Sequence, residues 1–120
     1  MAEMLNKRER RIIQKEWGWI DWIHNEGFCG KVIFMKRGKH CSWHYHDTTE
    51  EVIYVEDGKV KVAYQEDSND IEYKELKTGD ACKLKVGVKH QFQAISDVYL
   101  FEFSLHQPES DIKRIHHDRV

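Results

Sequence analysis

The stretch from Gly38 to Gly58, GKHCSWHYHDTTEEVIYVEDG, carries most of the information about fold and function. Within it, His44 and His46 are separated by a single residue. Side chains two positions apart on a β-strand point to the same face, so a strand here would project both imidazoles together. The chain has eight histidines, and one such spacing arises by chance on the order of half the time. The spacing of His44 and His46 alone therefore does not establish a metal site, and other residues must support it.

The end of this stretch predicts a β-hairpin. Asp57-Gly58 is a favoured two-residue loop for a type I′ turn, and apolar residues alternate on both sides of it. Such a turn would pair Val55 with Val60 and, further from the turn, Glu51 with Tyr64. Glu51 would then lie on the apolar face, where an unpaired acid is costly. Two imidazoles and an inward carboxylate are nitrogen and oxygen ligands of the kind that first-row metals accept, so the pattern indicates a metal site.

Short β-like segments follow one another from Phe28 onward, with glycines in several of the breaks between them. No sustained 3.6-residue period is present, which argues against a helix-rich fold. Many short strands at this spacing predict an all-β sandwich or closed barrel. The predicted strands are residues 28–36, 41–46, 51–56, 59–65, 70–76, 81–85, 90–95 and 98–104.

The sequence resembles the first motif of the cupin superfamily at five positions, which are Gly38, His44, His46, Glu51 and Gly58. Five residues separate Gly38 from His44, one separates His44 from His46, four precede Glu51, and six precede Gly58. The resemblance implies an all-β cupin jelly roll, in which two antiparallel sheets form a small barrel around a metal.

The second cupin motif has a partial counterpart in GDACKLKVGVKH, residues 79–90. Lys85 stands where the family usually has proline, and Ala94 stands where it often has asparagine. Neither position binds metal in the family, so the resemblance still implies one divalent transition metal, which could be Zn, Mn, Fe, Ni or Co. The implied ligands are His44, His46, Glu51 and His90.

The flanking segments resemble the cupin-type mannose-6-phosphate isomerases. These segments are KEWGWIDWI, residues 15–23, and FEFSLHQPESDIKRI, residues 101–115. The Tyr-Gly-Arg ending of those isomerases and their arginine-containing variant of the first motif are absent. The resemblance implies a metal-dependent isomerase or epimerase that acts on a sugar or sugar phosphate through an enediolate bound to the metal.

Three further residues are candidates for this chemistry. Glu102 is the candidate catalytic base, Lys31 is a candidate partner for a substrate hydroxyl or phosphate, and Arg114 is a candidate ligand for a phosphate or carboxylate. Hydropathy would turn the aromatic residues on either side of Glu102 inward, whereas the resemblance turns Glu102 itself inward. We follow the resemblance.

Two other functions fit the same residues. The predicted metal ligands could hold Fe(II) in a cupin dioxygenase, and the barrel could bind a small ligand such as a sugar without catalysis. The native metal and oxygen consumption would separate the isomerase from the oxygenase. A sugar that raises the melting temperature of an inactive protein would favour the binding module.

The remaining features concern organisation and partners. The chain of 120 residues is predicted to comprise a polar arm, residues 1–16, and a cupin domain, residues 17–120. A net charge of -2 gives no general attraction to nucleic acid or anionic membranes. The sequence lacks a secretory apolar segment and has three cysteines, an odd number, so we expect a cytoplasmic protein. The apolar and aromatic segment 12–23 predicts a homodimer, and the expected partner is a small-molecule substrate.

Overall fold

The computed structural model describes residues 1–67 and 69–120, with Glu109 described by its backbone alone. This part of the chain contains eleven strands and a short 3₁₀ turn at Glu109–Asp111. It contains no helix with the length and apolar character that crossing a membrane requires. The strands are β1 (Arg11–Lys15), β2 (Gly18–Glu26), β3 (Phe28–Met35), β4 (Trp43–His46), β5 (Glu51–Asp57), β6 (Lys59–Gln65), β7 (Glu72–Lys77), β8 (Ala81–Leu84), β9 (Lys89–Ala94), β10 (Val98–Leu105) and β11 (Ile112–His116).

The strands form two antiparallel sheets that face each other. One sheet has the order β1-β2-β3-β10-β5-β8, and the other has the order β11-β4-β9-β6-β7. Strands that are distant in sequence, such as β3 and β10, lie side by side along eight paired residues. This topology confirms the predicted all-β jelly roll of two antiparallel sheets.

The core fills the space between the sheets because each strand turns alternate residues inward. On β5, for example, Ile53 and Val55 are fully buried while Tyr54 between them is half-buried. The facing sheet contributes apolar residues from β6, β7 and β9. The central cluster is Ile33, Met35, Ile53, Val55, Val60, Val62, Leu76, Leu84, Phe92, Ala94, Val98 and Leu100.

The predicted hairpin at Asp57-Gly58 is wrong, because β5 and β6 belong to different sheets. Val55 pairs with Leu100 rather than with Val60. Gly58 has a φ of 110°, and a Cβ atom there would lie 2.4 Å from the backbone oxygen of Asp97. The glycine therefore lets the chain cross closely from one sheet to the other. Glu51 nevertheless points inward, because alternation along a strand does not depend on which strand pairs with it.

The first sixteen residues are not wholly an arm. Arg11–Lys15 forms β1 and pairs with β2 from Arg11 opposite Trp22 to Lys15 opposite Gly18. Just before β1, the Arg10 guanidinium donates to the buried Asp21 carboxylate at 2.7 Å. Polar and charged side chains suit β1 because it is an edge strand with one side open. The division of the chain at residue 16 stays a prediction.

Candidate metal centre

Three histidines meet at one end of the space between the sheets. His44 and His46 lie on β4, and His90 lies on the neighbouring β9, directly paired with His44. All three side chains are buried. They offer one ligand atom each within 4.8 Å of one another, so they could hold a metal ion. Alternation on β4 thus brings the predicted pair together, and sheet pairing supplies the third ring.

The hydrogen bonds of these rings fix which nitrogen faces the centre. In each ring, Nδ1 lies within hydrogen-bond distance of an oxygen that can only accept, so Nδ1 carries the proton and Nε2 keeps its lone pair. This arrangement is typical of histidines that bind metal through Nε2. The three bonds run from His44 to the Ser42 carbonyl at 2.8 Å, from His46 to the Asp111 carboxylate at 2.8 Å, and from His90 to the Val88 carbonyl at 2.9 Å.

Glu51, the first residue of β5, brings a carboxylate to the same point. Its Oε1 atom lies 3.1 Å from Nε2 of His90 and 3.4 Å from Nε2 of His46. Among the described residues, Nε2 of His90 is a buried nitrogen without a hydrogen-bond partner. A lone pair and a carboxylate oxygen repel at this distance unless a cation lies between them. The donor set of three imidazoles and one carboxylate therefore fits a divalent transition metal.

The ionisation states also suit metal binding. Burial lowers the pKa of His44 to about 3, so the ring is neutral at neutral pH. Burial acts to raise the pKa of Glu51, whereas positive charge beside the carboxylate, on the His90 and His46 rings or on Lys31, acts to lower it. With both rings neutral, a bound divalent cation would supply the positive charge that keeps the carboxylate ionised. Neutral imidazole and ionised carboxylate are the forms that bind metals.

Asp111 supports this centre, and the sequence analysis did not identify it as a site residue. Its buried carboxylate accepts from the His46 ring and from Thr48 and Thr49. Burial acts to raise the pKa of Asp111, but the Thr48 and Thr49 hydrogen bonds hold it well below its usual range. The residue lies in the segment 101–115 that resembles the isomerases, and this resemblance was the one available signal.

Glu102 faces the same cavity. Leu100 and Glu102 are buried, whereas Tyr99 and Phe103 on the alternate positions are 39% and 52% exposed. Hydropathy therefore predicts the wrong face of β10, and the resemblance predicts the right one. Burial, reinforced by the charge of Glu51, raises the pKa of Glu102 to about 7.

Lys31 and Gln107 complete a buried polar network around Glu102. The Lys31 ammonium lies 2.8 Å from Oε2 of Glu102 and donates to Oε1 of Gln107 at 2.5 Å. The Gln107 amide nitrogen donates to Oε2 of Glu102 at 2.9 Å and to Oε2 of Glu51 at 3.3 Å. Gln107 thus connects the predicted metal ligand to the predicted base. Like Asp111, Gln107 lies in the segment 101–115 that resembles the isomerases, but it follows β10 in an irregular stretch where strand alternation gives no orientation.

A cavity of about 240 Å³ is lined by six of the predicted site residues and by apolar residues of the core. Arg114 lies on β11, opposite His44 in the pairing, and is exposed at the edge of the cavity. The predicted residues in its lining are Lys31, His44, His46, Glu51, Glu102 and Arg114.

Comparison with known proteins identifies the family. The cupin domain model matches residues 30–103, which is more than half of the chain, and the protein therefore belongs to the cupin domain family. No curated protein sequence matches the chain.

Solved structures share the fold at low sequence identity. The capsular polysaccharide assembling protein CapF from Staphylococcus aureus superimposes with a TM-score of 0.77 and 14% identity, over 89% of this chain and 34% of CapF. Oxalate decarboxylase from Bacillus subtilis superimposes with a TM-score of 0.80 and 16% identity, over 96% of this chain and 33% of the enzyme. The chain spans about a third of these proteins, and the likeness shows the fold alone.

Proposed function

We propose that this cupin is a metal-dependent isomerase or epimerase that acts on a sugar or sugar phosphate. The observation that carries the proposal is the buried Glu102–Lys31 pair in the same cavity as the histidine cluster. Carboxyl groups whose pKa is raised toward neutrality beside a cavity are common at catalytic sites, which favours an enzyme over a binding module. The name of CapF, which refers to polysaccharide assembly, is compatible with a sugar ligand.

The metal would be held by His44, His46, Glu51 and His90. Four protein ligands leave one or two positions open on a five- or six-coordinate ion, as a catalytic site requires. A divalent metal bound there supplies Lewis acidity, which polarises a carbonyl group. The donor set accommodates Zn, Mn, Fe, Ni or Co.

Proton transfer is assigned to Glu102. Aldose–ketose interconversion and epimerisation both need a group that removes a proton from carbon and returns it. A carboxylate with a pKa of about 7 exists in both protonation states at neutral pH, as this exchange demands. Lys31 and Gln107 hold Oε2 of Glu102, which fixes the direction in which the carboxylate presents its other oxygen. Arg114 at the cavity edge would contact a charged substituent of the substrate.

The experiment follows hydrogen exchange between substrate and solvent. Metal-loaded protein is incubated in D₂O with a panel of aldoses, ketoses and their phosphates, and deuterium at carbon is measured by NMR. We expect incorporation with at least one substrate, and we expect Glu102→Gln to abolish it while metal content by elemental analysis is unchanged. Full exchange by the Glu102→Gln variant would contradict the role of Glu102.

The same protein preparation tests the alternatives. Oxygen consumption by the Fe(II)-loaded protein, without proton exchange, would support the dioxygenase and contradict the isomerase. A sugar that raises the melting temperature without exchange or turnover would support a binding module. Protein that contains no transition metal and takes up none on titration would overturn the metal site itself.

We also propose that the protein acts in the cytoplasm as a homodimer. The three cysteines, Cys29, Cys41 and Cys82, form no disulfide, which suits a reducing compartment. The outer face of the larger sheet exposes apolar side chains that a second copy would cover.

A further inference from the structure

Strand β2 contains a β-bulge at Ile23, where its register with β3 shifts by one residue. Trp22 pairs with Lys31 before the bulge, and Asn25 pairs with Cys29 after it. Residues paired across two antiparallel strands point to the same face, and Lys31 and Cys29 are both buried. The bulge therefore brings Trp22 and Asn25 to the inner face although they are three positions apart, whereas regular alternation would separate them.

Both of these β2 residues contact the buried network around Glu102. The Lys31 ammonium lies over the Trp22 ring, 3.9 Å from the ring centre, in a cation–π contact. Nδ2 of Asn25 donates to the backbone carbonyl of Gln107 at 2.9 Å, and Oδ1 of Asn25 accepts from the Gln107 backbone N–H at 2.9 Å. The Asn25 side chain thus bonds both backbone groups of Gln107, as a neighbouring strand would.

The side-chain amide of Gln107 has one orientation that satisfies its neighbours. Lys31 can only donate, so the Gln107 atom that faces it at 2.5 Å is the amide oxygen. The amide nitrogen then faces the carboxylates of Glu102 and Glu51, at 2.9 Å and 3.3 Å, and donates one hydrogen to each. A shift of the Gln107 backbone would therefore disturb all three bonds together.

We propose that Asn25 is a positioning residue for the Glu102 carboxylate and that it acts through Gln107. Gln107 lies outside the strands, so its backbone position depends on side-chain bonds such as those from Asn25. Asn25 does not line the cavity of the metal centre, so it would not touch a substrate there. The hold on Glu102 is a property of the folded chain, whereas its effect on turnover rests on the proposed function.

The first test measures hydrogen exchange of the Gln107 side-chain amide by NMR, on the full chain after treatment with a chelator. In the wild type this exchange should be slow, because the amide is buried and both of its hydrogens are bonded. Asn25→Ala should speed it about tenfold or more. Asn25→Asp is a second variant of the same size, in which an oxygen replaces the donor to the Gln107 carbonyl, and it should also speed the exchange.

The matched control is Thr78→Val. The Thr78 hydroxyl accepts from the Gly58 backbone N–H at 2.9 Å and donates to the Gly58 carbonyl at 3.4 Å. This variant therefore also removes side-chain bonds to both backbone groups of one residue. Gly58 follows the end of β5 that lies opposite to Glu51, so the control should leave the Gln107 amide as slow as in the wild type.

Two results of this test would overturn the inference. One is slow exchange of the Gln107 amide in both Asn25 variants, with circular dichroism showing that they are folded. The other is equally fast exchange in Thr78→Val, which would mean that any loss of stability frees the amide. Asn25 is half-buried near the end of β2, so its variants are expected to fold.

The second test uses the metal-loaded protein and a substrate that incorporates deuterium. Asn25→Ala should lower kcat by about 10- to 100-fold and leave KM within about twofold, because a misplaced Glu102 slows proton transfer without weakening binding. In a Gln107→Ala background, the same substitution should cause no further loss, since its effect passes through Gln107. A merely structural role would lower both backgrounds alike.

The outcomes separate the positioning role from the proposed function. Full kcat in the folded Asn25→Ala protein would contradict the positioning role, and the isomerase would stand. If no sugar or sugar phosphate incorporates deuterium, the proposed function fails, and the exchange rates of the Gln107 amide decide whether Asn25 holds the network.

Discussion

At the scale of single residues, the histidine cluster depends on the groups behind it. Each ring donates from Nδ1 to a fixed acceptor, and for His46 this acceptor is an ionised carboxylate, Asp111. An anionic acceptor makes the opposite nitrogen a stronger donor to a metal and prevents rotation of the ring. Asp111 is therefore expected to act on metal binding without touching the metal.

The substitution Asp111→Asn tests this role. Asparagine keeps the size of the side chain but removes its charge, so we expect metal affinity to fall by about 10- to 100-fold. Affinity is measured by competition with a chromophoric chelator. Asp47→Asn, at an exposed position close to His46, is the control and should leave affinity unchanged. An unchanged affinity in Asp111→Asn would show that the ring of His46 needs no anion.

Gln107 is the other residue whose role depends on its neighbours. Its amide is the shared partner of Lys31, Glu102 and Glu51. Replacement by leucine would leave buried charged groups with fewer partners, so Gln107→Leu should lower the free energy of unfolding by about 2 kcal/mol. Urea denaturation measures this change, and Gln14→Leu at an exposed position on β1 is the control. Equal stability of both variants would contradict a structural role for the amide.

At the scale of elements, the connection between β5 and β6 shows where local patterns fail. Asp57-Gly58 satisfies the preferences of a tight hairpin, yet the next strand joins the opposite sheet. Non-local pairing decides whether β6 pairs with β5 or joins the other sheet. It favours the other sheet because β10 and β8 already occupy both edges of β5. Gly58 is needed in either case, but here the reason is its close approach to Asp97.

The substitution Gly58→Ala tests whether this position needs glycine for its positive φ or for its close approach to Asp97. An added Cβ would meet the Asp97 oxygen at 2.4 Å, at a φ of 110°. We expect a loss of about 2 kcal/mol or more in the free energy of unfolding, measured by urea denaturation. Gly27→Ala is the matched control, because Gly27 also has a positive φ but has no atom within 4 Å of the added Cβ. A similar loss in both variants would mean that backbone conformation alone requires Gly58.

At the scale of the whole molecule, the two sheets differ in how their outer faces are covered. The smaller sheet is covered in part by residues near the end of the chain, since Gln91 and Gln93 donate to the backbone oxygens of Asp118 and Val120. The larger sheet instead exposes Phe28, Phe103 and Leu105 at 61%, 52% and 71%. Its outer face also carries a group of aromatic rings in which Trp19, Phe34 and Tyr99 contact one another.

We expect this outer face to form the interface of the proposed homodimer. Trp19 belongs to segment 12–23, from which the dimer was predicted, and its ring contacts join that segment to the exposed face. Phe103→Glu would place a charge in the interface and should convert a dimer to a monomer, as measured by light scattering after size exclusion. Tyr73→Glu, a similarly exposed aromatic on the smaller sheet, is the control and should remain dimeric. A monomeric wild type would contradict the interface.

Local patterns along the chain are enough to predict the fold class and the direction in which most site residues point. Alternation along a strand is a local property, so His44, His46 and Glu51 could be placed on inward faces from spacing and the cupin resemblance. The breaks between strands are likewise local, and eight of the strands were predicted within about two residues.

The identity of neighbouring strands, and of the groups that support the site, depends on the packed fold. Three strands were not predicted, namely β1, β2 and β11. Charged and polar residues interrupt the alternation of apolar residues in these segments. Pairing with neighbouring strands near the sheet edges stabilises them instead. Asp111 and Gln107 lie far in sequence from His46 and Glu51, and no spacing rule relates them. Long-range hydrogen bonds between buried polar groups depend on the packed arrangement of the chain, which local sequence patterns do not encode.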